Sequence, residues 1–191
     1  TFARIEEAYA GAAAGDVIAV YPREENEPYA RVALKVALPR LTIRAVTADG
    51  DRVALSGQGY DYSGAGAVPR AVFQFGRGAD GCALEGFEIS GAHNDSHNGA
   101  GVPIDQANDV VVRDCDIHDN DMGIMSNGDG TLATAAGQLV EHCRIHHNGD
   151  LRNPGYSHNL YLGGTSAFLS FCEVHSSLTG HNVKSRAHQN W

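Results

Sequence analysis

The sequence predicts an all-β fold, a parallel β-helix closed at its start by a short helix. Three observations predict it. First, the segments "LEGFEISGAHN" (84–94), "VVRDCDIHDN" (111–120), "VEHCRIHHN" (140–148) and "LSFCEVHSS" (169–177) share one pattern. It runs as an apolar residue, two spacers, Phe or Cys, a charged residue, Ile or Val, then Ser or His. Second, Phe87, Cys115, Cys143 and Cys172 stand 28, 28 and 29 residues apart, and Ile89, Ile117, Ile145 and Val174 keep the same register. Third, a weaker column of short strands lies between these segments: "GVPID" (101–105), "GIMSN" (123–127), "NLYLG" (159–163) and "NVKSR" (182–186). Such a unit cannot bury its own apolar side, but a stack of similar units can. Successive coils then lie roughly 4.8 Å apart, with like residues in ladders.

The elements follow in order. Residues 1–15 carry apolar side chains at Phe2, Ile5, Ala8, Tyr9 and Ala12, a helical period, with Gly15 as the stop. A helix there covers the open first coil, as a terminal cap must. "DVIAVYP" (16–22) and "LTIRAV" (41–46) read as strands of the first coils. The chain shows no linker and no second domain, so 1–191 reads as one β-helix domain. The abrupt start at Thr1 and end at Trp191 predict a signal peptide before this segment and further coils after it. No basic n-region or apolar h-region begins the sequence.

The motifs "AGDVIAVYP", "LTIRAV" and "VVVRDCDIHDN" resemble secreted bacterial right-handed parallel β-helix proteins of the pectate-lyase-like superfamily. The pair "HNLYLGG" and "GHNVKSRA" is similar to motifs in bacterial β-helix proteins of that group. The resemblance spans nearly the whole chain. It implies a right-handed helix, a secreted or periplasmic location and a carbohydrate ligand. That superfamily holds lyases, hydrolases, epimerases and non-catalytic adhesins, so the fold alone does not choose among them.

Composition narrows the partners. With 14 Lys and Arg against 23 Asp and Glu, the chain carries a formal net charge of −9. That excludes a broad basic face for nucleic acid or anionic membranes. No stretch approaches the roughly 20 apolar residues of a membrane span. The expected state is a monomer. Three of the four cysteines occupy one inward column, where they read as small buried apolar side chains. Adjacent coils also bring such residues within disulfide range. His118, His146 and His175 share another register and read as a ladder of turn histidines, with a metal site as the alternative. Oxygen-rich turns at 93–101 and 118–130 suit calcium, and Asp105, Asn127 and Asp129 are the metal candidates.

The second strand column is the most informative. Alternation turns Val102, Ile124, Leu160 and Val183 inward and sets Pro103, Met125, Tyr161 and Lys184 on one outer face. Arg186 falls on the same face, and His158 and Asn159 neighbour His181 and Asn182. Segments 91–101, 127–137 and 148–158 form the walls of the resulting cleft. Candidate catalytic residues are therefore Lys184, Tyr161, His181 and Arg186. His158, Asn159, Asn182 and Arg152 are substrate-binding candidates.

This residue set suits β-elimination from an acidic, uronate-containing polysaccharide. Cations neutralise the carboxylate, a base takes the proton beside it, and an acid protonates the leaving glycosidic oxygen. Clustered cations favour an amine base near neutral pH. Val183–Ser185 resembles the lysine-bearing "VKS" motif of alginate and chondroitin lyases with this fold. The resemblance implies Lys184 as base, while in those lyases the partner arginine lies on a following coil. Tyr161 or His181 would be the acid, and Arg186 would hold the carboxylate. The alternatives are a glycan-binding or surface scaffold with Tyr161 as a stacking platform, a hydrolase using paired carboxylates such as Asp105 with Asp121 or Asp129, and a uronan epimerase.

Overall fold

The structure is a computed structural model that describes residues 2–48, 51–63 and 69–191. Among the described residues the strands form a seven-, a six- and a five-stranded sheet. Every pairing between them is parallel. From Ala83 onward the chain visits the seven-stranded, five-stranded and six-stranded sheets in turn, once per coil. This is a right-handed parallel β-helix. In the first coil Tyr29 stands in for a five-stranded-sheet strand, through a single bridge to Leu55.

The repeat sets the register. Ile117 pairs with Ile89 and Ile145, and Ile145 pairs with Val174. Val112 pairs with Leu84 and Val140 in the seven-stranded sheet. These side chains, with Leu55, Phe73, Phe75 and Phe87, fill the interior as one continuous core. Burying each large side chain contributes about 1.5–3 kcal/mol.

From Ala83 onward each coil turns sharply twice around the five-stranded sheet, with a left-handed residue at each turn. Gly86, Asp114, His142 and Phe171 occupy the first corner, with φ of 82°, 53°, 51° and 51°. Gly91, Asp119, His147 and Ser176 occupy the second, with φ of 79°, 52°, 52° and 52°. Glycine enters that region without steric cost, whereas other residues depend on the stacked corners to hold them there.

Cys115, Cys143 and Cys172 lie in the inward column of Phe87, and Cys82 is buried one sheet earlier. All four are free, and Cys115, Cys143 and Cys172 each place Sγ 3.1–3.3 Å from the carbonyl oxygen two residues back. Hydrogen bonding with Cys115 first, then burial, pushes the Cys143 thiol up, so it stays protonated at neutral pH. The histidine register is a true stack: the His146 ring lies 5.1 Å from His118 and 5.2 Å from His175, tilted by 8° in each case.

The cap is shorter than the periodicity predicts. Of the predicted segment, Thr1 lies outside the described residues. The helix spans only Ile5–Ala10, and Gly11 ends it by donating to Ala8. "GAAAG" then leaves the helical path, and its second glycine, Gly15, takes φ 88°. Ile5 is buried, and Ala8, Tyr9 and Ala12 pack against the first coils. Ala37 donates its backbone N–H to the Tyr9 hydroxyl.

An asparagine ladder runs inside the second corner. Asn120 Oδ1 accepts from the Ala92 N–H, and Asn148 Oδ1 accepts from the N–H and side-chain amide of Asn120. Asn159 Oδ1 does the same for Asn148, and Asn182 Oδ1 accepts from the Asn159 amide and the Ser177 N–H.

Candidate functional site

The outer face of the six-stranded sheet carries the predicted row. Pro103, Met125, Tyr161 and Lys184 are successive register partners. Arg186, two residues past Lys184, continues the same face. Val102, Ile124 and Leu160 are fully buried beneath them, while Val183, on the last strand of that sheet, is half exposed.

The side chains converge on Tyr161. Lys184 Nζ lies 5.3 Å and Arg186 Cζ 5.9 Å from its ring centre, within cation–π range. The His158 imidazole stacks on the same tyrosine, with centres 5.8 Å apart and planes 10° apart. Lys184 Nζ is 3.4 Å from His158 Nε2. His158 Nδ1 accepts the His181 backbone N–H at 3.0 Å. A neutral imidazole has one acceptor nitrogen, and the His181 N–H occupies it at Nδ1, so Nε2 carries the proton and accepts nothing from the lysine beside it. The glycine opening "GHNVKSRA" has a local reason: Gly180 takes φ 68°, and a side chain there would run into the His158 ring.

His158 is buried, and that burial, then the Lys184 and His181 charges, lowers its pKa to about 4 from the ordinary 6.5. Between these values the unfolded chain binds a proton that the folded chain does not. Stability is therefore lost as pH falls from 6.5 toward 4. The urea midpoint is expected to fall between about pH 7 and about pH 4, and to fall less in His158→Gln. Equal falls in the two proteins would refute the assignment.

Two walls rise from this floor. Ser96, His97 and Asn98 form one, and Asn153, Gly155 and Tyr156 the other, around a cleft of about 380 Å3. Beyond Tyr161 and Arg186 a second hollow of about 580 Å3 opens along Asn127–Gly128, Thr131–Leu132 and Gly163–Gly164. The two hollows share Tyr161 and Arg186, so the face offers one groove. The described residues that line the first hollow include three basic types (His, Lys, Arg), two tyrosines and no carboxylate.

The other candidates are placed as follows. Asn159 is fully buried, and its side-chain amide is used within the ladder. Asn182 is exposed, but its Oδ1 is likewise taken. Both hold the backbone beneath the cleft. Exposed His181 has its ring 5.2 Å from that of His158 and does not line the cleft. Arg152 is bound to Asp150 through Nε at 2.9 Å, with its backbone N–H also donating.

The metal candidates do not form a shell. Asp105 and Asn127 are register partners on neighbouring strands. Asp129 is committed elsewhere: the Thr131 hydroxyl, its N–H and the Thr134 hydroxyl hold the carboxylate pKa down to about 2. No group of three or more His, Cys, Asp or Glu suited to a metal occurs among the described residues.

Sequence reasoning missed one arrangement. His97 Nδ1 lies 2.7 Å from Asp150 Oδ2, across 53 residues of chain. His93 Nδ1 makes a matching 2.7 Å contact with buried Asp121. Neither pairing has a local signal, because each joins two turns on different coils. No protein-family model matches this chain, and neither a curated protein nor a solved structure matches it.

Proposed function

We propose that the groove binds an acidic polysaccharide and cleaves it by β-elimination, with Lys184 as the base. One observation carries the reading. A chain of net charge −9 presents a cleft that gathers Lys184, Arg186, His97 and His158 around Tyr161, with no carboxylate among its described lining residues. The Lys184 and Arg186 charges, gathered over Tyr161 against the overall charge, call for an anionic ligand. A uronate fits them, because its carboxylate must be neutralised before the adjacent proton can leave.

In this reading Arg186 binds the carboxylate and Tyr161 supplies the platform on which a sugar ring stacks. Lys184 takes the proton on its nitrogen lone pair, beside a His158 imidazole whose lowered pKa keeps it neutral. The resemblance of "VKS" to the lysine motif of β-helix lyases supports the same assignment. A hydrolase would need two carboxylates facing one sugar, about 5–9.5 Å apart. Neither partner considered for Asp105 is free for that role: Asp121 is buried on backbone N–H groups, and Asp129 closes a turn.

The test is incubation with alginate, pectate, glucuronan and glycosaminoglycans, with and without calcium, following the ultraviolet absorbance of an unsaturated uronate. A rise on at least one polymer is expected. No rise and no new reducing ends on any of them would sink the proposal. Arg186→Ala is expected to lower kcat/KM roughly 10- to 100-fold, the equivalent of about 1.5–3 kcal/mol for a charge-assisted contact. An unchanged kcat/KM would remove Arg186 from the carboxylate site.

A further inference from the structure

We propose that His97, held by Asp150, is the acid that protonates the leaving glycosidic oxygen; this rests on the lyase reading of the same cleft. The observation behind it is a carboxylate–imidazole pair built into the wall facing the lysine. Asp150 is buried, and its carboxylate is gripped by the Arg152 side chain and N–H. Hydrogen bonding from Arg152 first, and then from His97, holds its pKa well below the usual carboxylate range. Asp150 is therefore an acceptor only, so His97 Nδ1 bears a proton and donates it. The other nitrogen, Nε2, is left for the cleft that His97 lines.

The wall is constructed to hold this ring. His97 sits in the left-handed region at φ 56°, a conformation that costs free energy unless neighbours impose it. Its N–H donates to the Asn94 carbonyl at 3.0 Å. The Asn94 and Asn98 side chains bond to each other at 2.8 Å. Ser157 Oγ donates to the His97 carbonyl at 3.4 Å, which ties this wall to the one opposite. The His97 side chain is 27% exposed, against 7% for Asp150, so the imidazole reaches solvent while its partner does not. Tyr161 is less suited to the task, since its ring already packs against His158 and both floor cations.

The step balances as follows. The Lys184 amine takes the proton from the carbon next to the carboxylate. That C–H electron pair becomes the new double bond as the bond to the glycosidic oxygen breaks. Protonated His97 gives its Nε2 proton to the departing oxygen and ends neutral, while Lys184 ends as an ammonium. Solvent then returns a proton to His97 and takes one from Lys184. Asp150 offsets the imidazolium charge before transfer and fixes the ring orientation, as a positioning residue.

The test uses leaving groups. A polymer expels an alkoxide that needs a proton, whereas a synthetic uronide whose eliminated group is nitrophenolate does not. His97→Gln is expected to lose about 10^2- to 10^4-fold on polymer and to keep most of its rate on the nitrophenolate substrate. Asp150→Asn should show the same selective loss, smaller in size. Lys184→Ala should lose both reactions. Equal loss by His97→Gln on the two substrates, or none on polymer, overturns the assignment to His97 alone. Failure of the wild-type protein on both substrates would instead overturn the lyase reading.

Discussion

Replacing Lys184 with alanine is expected to lower uronan cleavage by about 10^2- to 10^4-fold, the usual contribution of a positioned proton-transfer group. The thermal midpoint should scarcely move. Lys184 lies on the outer face, in no ion pair among the described residues, so truncation opens no cavity. Surface changes of that kind usually stay within about 0.5 kcal/mol. Tyr161 and His158 remain in place, because the register between the Tyr161 and Lys184 strands is set by Leu160 and Leu162, and by backbone bonds from Asn159 and Leu160 to the carbonyls of His181 and Asn182. The comparison is made on folded protein of both kinds, with initial rates on the best polymer. Full activity in Lys184→Ala would remove the lysine as base.

Replacing Asn148 with alanine is expected to cost about 3–5 kcal/mol, a large share of the roughly 5–15 kcal/mol that holds a typical domain. Asn148 is fully buried at the middle of the ladder. Its Oδ1 accepts from the Asn120 N–H at 3.2 Å and from the Asn120 amide at 3.0 Å. Its Nδ2 lies 3.0 Å from the carbonyl oxygens of Ile117 and His146. Alanine strips all of these at once, and no water reaches the orphaned groups without opening the corner. The urea midpoint reads the effect directly. A loss below about 1 kcal/mol would show that the ladder merely decorates the corner.

Much of this arrangement could be read from the sequence, for a physical reason. A 28-residue spacing forces each side chain above its counterpart, so strand alternation alone predicted the row Met125, Tyr161 and Lys184 and its inward neighbours. The wall segments were legible too, since turn-rich stretches between short strands must loop outward. What alternation could not separate was a polar residue that faces a ligand from one that feeds the ladder. Asn159 and Asn182 looked like binding residues beside His158, yet Asn159 is buried within the ladder and Asn182 gives its Oδ1 to it. The His97–Asp150 pair was invisible for another reason: its partners lie in two irregular loops, where no periodicity fixes direction. The cap was overextended because alanine-rich sequence keeps a helical pattern past the glycine that ends the helix.

The central claim is that this cleft removes a proton beside a uronate carboxylate and expels the neighbouring sugar. The most direct measurement is the nuclear magnetic resonance spectrum of chain ends formed from the best-bound uronan. An unsaturated uronate at every new non-reducing end, absent with Lys184→Ala, is the predicted result. Saturated new ends, or tight binding of the polymer with no scission, would contradict it.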